Sequence, residues 1–152
     1  MNKIWEYAKS ILLPVAIGGI VGLIISKFID YNSLVKPPLA PPSILFPIMW
    51  TILYILMGVS YGILKDKGLN DSSVNRIYYL QLGINALWSI FFFVFKWRLF
   101  SAFWIVLLLV TIIMMILKFY SKNKVAGLLQ IPYLLWTAFA TYLNIAIYVL
   151  NR

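Results

Sequence analysis

The sequence predicts an all-α membrane protein, a five-transmembrane-helix bundle forming a single domain over residues 1–152, and three observations carry that prediction. The chain is 63% hydrophobic and 11% charged, against about 45–50% and about 25% in soluble domains, so one water-enclosed core cannot hide its apolar surface. Its charged residues fall in clusters that leave five apolar stretches. Each is close to the roughly 20 residues a helix needs to cross about 30 Å of hydrocarbon. No stretch alternates apolar and polar residues as a membrane β-strand does, which sets a barrel aside.

The first span runs over 11–29, behind Lys3 and Lys9. It resembles a signal peptide in its flanks, but it is long and has no small-x-small cleavage site before Lys27, so it reads as a retained helix. The second, 44–64, follows a linker from Tyr31 to Ser43 in which Pro37, Pro38, Pro41 and Pro42 forbid helix. Asn32 and Ser33 give that linker a soft hinge, so it reads as a semi-rigid cover. The charged segment Lys65–Arg76, with Gly68, Asn70 and Asp71, separates it from the third span, 77–95. Lys96 and Arg98 precede the fourth, 100–117, and Lys118, Lys122 and Lys124 precede the fifth, 125–150.

The charge pattern excludes several functions. The net charge of +9 suits membrane-flanking loops better than a nucleic-acid interface in so apolar a chain. Cys and His are absent and only Glu6, Asp30, Asp66 and Asp71 are acidic, so metal sites and proton relays have almost nothing to be built from, and the absence of His, Cys and paired carboxylates argues against hydrolysis. No charged side chain sits near the middle of a span, which argues against an ion-coupled pump. Counting Lys and Arg gives 8 on the N-terminal side and 5 on the other, which places the N-terminus in the cytoplasm and the proline linker outside.

Aromatic residues make up 17% of the chain, and they share helix faces with polar ones. At about 100° per residue, Trp50, Tyr54 and Tyr61 lie within about 40° on the second span. Gln81, Asn85, Trp88, Ser89 and Phe92 form a stripe about 100° wide on the third, and Tyr133, Trp136, Ala140 and Asn144 one about 80° wide on the fifth. Helix packing with amides bonded across helices explains any one stripe. Three on three helices predict a binding cavity, because Gln and Asn are poorly satisfied against acyl chains. Gly18–Gly22 and Gly58–Gly62 are GxxxG pairs that bring backbones together within the bundle or between protomers. Trp5, Trp97 and Trp104 read as interfacial belt anchors.

Three stretches resemble one family. Lys36-Pro37-Pro38-Leu39-Ala40-Pro41-Pro42 followed by Phe46-Pro47-Ile48-Met49-Trp50-Thr51-Ile52-Leu53-Tyr54 is similar to the first loop and second helix of TspO/MBR proteins, the tryptophan-rich sensory or translocator proteins. Gln81–Ser89 and Pro132–Asn144 agree with later motifs, in the same order. The resemblance implies a five-helix bundle, often a homodimer, with a cavity beneath the first loop for porphyrins, other tetrapyrroles, sterols and aromatic ligands. No cofactor is implied; a porphyrin is the ligand. By motif, Tyr31, Trp50, Tyr54, Asn85, Trp88, Ser89, Trp136 and Ala140 line the cavity, and Trp50 and Trp136 are the candidates for light-dependent porphyrin breakdown. Uncoupled transport of such ligands is a further expectation. Asp30 departs from the family, many of whose members have Trp before the loop tyrosine. Leu143, Tyr148 and Arg152 fit a sterol-contact pattern, and Lys36 is placed to meet propionate groups at the rim. The expected function is a multi-pass receptor or sensor in a bacterial cell membrane, with Trp and Tyr stacking on the ring and Asn and Ser orienting its polar edge.

Overall fold

The computed structural model describes residues 2–152. Its helices are α1 (Asn2–Ile25), α2 (Leu45–Asp66), α3 (Ser72–Ser89), α4 (Arg98–Lys122), the short α5 (Lys124–Leu128) and α6 (Ile131–Asn151). A 3-10 turn, Tyr31–Ser33, lies in the proline loop, and α3 runs on into a π-helical turn, Ile90–Val94. Five helical segments are long and apolar enough to span a membrane, as the charge-free stretches predict, with α5 and α6 together making the fifth. The chain is an all-α, multi-pass membrane protein.

Several boundaries differ from the sequence reading, most of them for a local reason. α1 begins at Asn2, not Ile11, because its charged first turns find partners: Glu6 pairs with Lys9 at 3.2 Å and Lys65 at 3.3 Å, and Lys3 with Asp66 at 3.6 Å. It ends at Ile25 rather than Ile29. α3 starts five residues earlier than expected, at Ser72, where Asp71 caps it by accepting from the Val74 N–H at 3.0 Å. The fifth span is interrupted at Leu129–Gln130 because Pro132 lacks an N–H and its ring excludes the carbonyl of Leu128.

The GxxxG pairs are used unequally. A Cβ on Gly58 would sit 2.3 Å from the Ile11 Cα, one on Gly62 2.7 Å from the Tyr7 ring and one on Gly18 2.3 Å from the Tyr54 ring. These three glycines therefore join α1 to α2 within the chain. Gly19 and Gly22 meet nothing within 4 Å. The aromatic belt is also only partly as expected. Trp5 and Trp97 are exposed, but Trp104 is half-buried and donates its indole N–H to the Ile84 carbonyl at 2.8 Å, so it ties α4 to α3.

Gly58→Ala should destabilise the bundle by about 1–3 kcal/mol, since backbone cannot yield as a side chain can. Gly83→Ala, at a position with nothing within 4 Å, should be neutral or stabilising; unfolding in mixed micelles compares the two. Asp71 supplies a pH test. Lys122 at 2.9 Å, then Ser73 and the Val74 N–H, hold its carboxyl well below the usual range. A depressed folded value stabilises above the unfolded value of about 3.9, and that contribution is lost as pH falls through the folded one. Asp71→Asn should therefore lower thermal stability at neutral pH, and the gap to the parent protein should close in acid.

Candidate functional site

A chamber of about 370 Å³ lies at the proline-loop end of the bundle, between the C-terminal half of α1, the N-terminal half of α2 and the end of α3. Trp50 is its hub. The Trp50 ring centroid lies 5.9 Å from Tyr54 in a stacked arrangement, 6.4 Å from Trp88, 6.3 Å from Tyr133 and 6.4 Å from Trp136. Offset and edge contacts of this kind each contribute about 0.5–1.5 kcal/mol beyond area burial. They hold the wall rigid.

Behind that wall runs a buried chain of hydrogen bonds whose direction one backbone carbonyl fixes. Gln81 donates from Nε2 to the Tyr78 carbonyl at 2.8 Å, so its Oε1 must face Tyr133. Tyr133 therefore donates to Gln81 Oε1 at 2.7 Å and accepts from Asn85 Nδ2 at 2.7 Å. Asn85 then presents Oδ1 to the Tyr54 hydroxyl, which donates at 2.7 Å. Gln81, Asn85 and Tyr133 are each at most 2% exposed, so the chain satisfies groups that neither water nor lipid reaches. A second link starts from the chamber: Trp88 Nε1 donates to Asn144 Oδ1 at 2.9 Å, and Asn144 Nδ2 to the Arg98 carbonyl at 2.9 Å.

The loop covers the chamber's end and is pinned at several points. The Tyr31 hydroxyl donates to the Pro41 carbonyl at 2.7 Å, and its ring packs on Phe46 at 5.0 Å. Burial raises the affinity of the Tyr31 hydroxyl for its proton. Asn151 clasps Val35 twice, accepting from its N–H at 2.9 Å and donating to its carbonyl at 2.8 Å. Tyr142 donates to the Pro38 carbonyl at 2.8 Å. Asp30, the residue that departs from the family pattern, pairs with Arg98 at 2.7 Å and Lys96 at 3.6 Å, fixing the loop to the start of α4.

Of the eight residues assigned by sequence, Tyr31, Trp50, Tyr54, Trp88 and Ser89 line the chamber together. Asn85 lies behind Tyr54, outside the lining, with its amide bonded to Tyr54 and Tyr133, so it positions the wall. Trp136 stands behind Phe46, at 5.7 Å, and Trp50, with its indole N–H unpartnered. Ala140 borders a separate void of about 20 Å³, which shares Tyr31, Phe46 and Trp88 with the chamber. The expected roles of two further features are corrected. The Lys36 ammonium bonds the Tyr31 and Leu34 carbonyls at 3.1 Å each and lies over the Tyr31 ring, so its charge braces the loop rather than the rim. Leu143, Tyr148 and Arg152 do not share a surface: Leu143 is in the core at 3% exposure, while Arg152 is exposed.

The wall from α1 was missed in the sequence reading. Val15, Gly18, Gly19, Gly22 and Ile25 line the chamber. The signal was the cluster of small residues at Gly18–Gly22, which provides space through missing side chains.

The model of the TspO/MBR family matches residues 10–150. The chain belongs to the TspO/MBR family. It is 39% identical over 152 residues to the tryptophan-rich protein TspO of Archaeoglobus fulgidus, covering 98% of this chain and 99% of that one. It is 41% identical over 124 residues to its namesake in Chlorobaculum tepidum, covering 80% and 78%. The translocator protein of Bos taurus is 33% identical over 153 residues, covering 92% and 87%. The TspO/MBR match includes α1 from Ser10 onward, the helix whose bare face completes the chamber.

The hydrogen-bond chain makes a stability prediction. Tyr133→Phe leaves the Asn85 amide and Gln81 Oε1 without their shared partner and should cost about 1–3 kcal/mol. Tyr148→Phe, outside the chain, should change little. Thermal unfolding in one detergent measures both.

Proposed function

We propose that this TspO/MBR protein is a membrane receptor that holds a flat, hydrophobic aromatic ligand, a porphyrin-type tetrapyrrole foremost, in the chamber beneath the proline loop. The observation that carries this reading is Trp50, ringed by four aromatic side chains at a half-buried position on the chamber wall. A face of that kind suits stacking on an extended π-system. The volume, about 370 Å³, falls within the range of about 300–1,000 Å³ common for small-molecule sites. The lining carries hydroxyls but no charged group, so the ionised edge of a porphyrin stays at the loop. The 8-to-5 basic bias supports an N-terminus that faces the cytoplasm.

Trp50→Ala should weaken porphyrin binding at least tenfold, because truncating a buried aromatic anchor costs about 2 kcal/mol, roughly thirtyfold. The Tyr148→Ala, Arg152→Ala double variant should shift it by less than about threefold, since both lie outside the chamber. Titration of folded protein in darkness decides; the opposite ranking overturns the chamber as the site. Trp50 beside Trp88 and Trp136 also favours a second reading, light-dependent breakdown of the bound porphyrin. Product formation under light that Trp50→Phe abolishes while binding persists would establish it. Orientation is tested by single cysteines in a chain that has none: Ser43→Cys should label in intact cells with an impermeant reagent and Asn70→Cys should not.

A further inference from the structure

The chamber is closed at its end and open at its side. The loop above it is held by the Asn151 clasp, the Tyr142–Pro38 and Tyr31–Pro41 hydrogen bonds and the Asp30–Arg98 pair. On the side, Gly19 and Gly22 line the chamber yet are exposed, with nothing within 4 Å of where a Cβ would stand. Pro47 and Thr51, across the opening on α2, are likewise both lining and exposed. All four lie within membrane-spanning segments, so the opening faces hydrocarbon rather than water. The neighbouring Ile20 and Leu23, 59% and 77% exposed, are the lipid-facing side chains of the same helix stretch.

What fills such a space follows from its lining. Water needs two to four polar partners in a buried site. Here most polar hydrogens are already used inside the protein: Tyr31 donates to Pro41, Thr51 to Pro47 at 2.7 Å, Tyr54 to Asn85 and Trp88 to Asn144, which leaves the Ser43 and Ser89 hydroxyls in an otherwise apolar lining. An empty chamber would forfeit the dispersion contacts of every apolar group around it. The surrounding solvent at that depth is acyl chain, and it is apolar, flexible and present at high local concentration.

We infer that a phospholipid acyl chain passes over the Gly19–Gly22 sill and occupies the chamber when no other ligand is present. The lipid tail lies against Trp50 and Trp88, and a ligand arriving from the bilayer by the same opening displaces it. The displacement rests on the proposed receptor function; the occupancy does not.

The test uses the intact protein in nanodiscs containing a phosphatidylcholine with a photoreactive diazirine at mid-chain. After irradiation, adducts mapped by mass spectrometry should fall on chamber residues such as Trp50, Trp88 and Ser89 as well as on outward residues such as Leu23. Gly22→Phe, which puts a ring in the opening, should reduce the chamber adducts by roughly fivefold or more. Gly83→Phe, at another position with nothing within 4 Å, should leave them unchanged. Adducts confined to outward residues in the parent protein would overturn the inference, whatever the variants do. Equal loss in both variants, or in neither, would overturn the glycine sill. Saturating protoporphyrin should suppress chamber adducts; if they persist, porphyrin binding in this chamber fails while lipid occupancy stands.

Discussion

The carbonyl of Tyr78 sets the polarity of the bundle's interior. A helix interior solvated by lipid offers no water to a buried amide or hydroxyl, so each must find its partner in the protein. Gln81 can satisfy that carbonyl only with its NH₂ group, and this choice orders Tyr133, Asn85 and Tyr54 in turn. Three helices are thereby fixed in rotation about their axes. Trp50, stacked on Tyr54 and edge-on to Tyr133, takes its position from the end of that chain.

Close approach and open space alternate along the α1–α2 pair. Gly58, Gly62 and Gly18 let the two helices meet, while Gly19, the next residue, and Gly22, one helical turn on, leave a gap. The gap and the wall behind it constitute the chamber, so one small-residue motif serves packing on one face and access on another. Pinning the loop closes the chamber's end and leaves its opening at the side. Lys36 and Asp30, which read as rim charge and as a departure from the family, both act in holding the loop.

The spans were legible because hydrocarbon thickness imposes a length and excludes unpaired charge, and both leave marks in a linear string. The three polar–aromatic stripes were legible through the helical period, and five of the eight residues drawn from them and from the loop motif meet at one chamber. Periodicity assigns a residue to a face but not to a depth on it. Asn85 shares a face with the lining residues Trp88 and Ser89 yet lies one layer behind them, Trp136 stands behind Trp50 and Phe46 on a helix that does not reach the lining, and Ala140 borders a different void. The early start of α1 was hidden because its charged turns read as a flank until Lys65 and Asp66 of another helix arrive to pair with them.

The sequence by itself determined the membrane class, the number of spans, and which helix faces carry aromatic and polar groups. Composition and period are properties of residues and of their neighbours along one helix, so they need no partner to be read. Only the tertiary structure decided which amide faces which hydroxyl, that Lys36 is consumed by carbonyls, and that bare glycine backbone on α1 completes the chamber. Those outcomes depend on contacts between residues far apart in sequence, such as Val35 with Asn151 and Tyr54 with Asn85. A missing side chain acquires meaning only when another helix stands opposite the space it leaves.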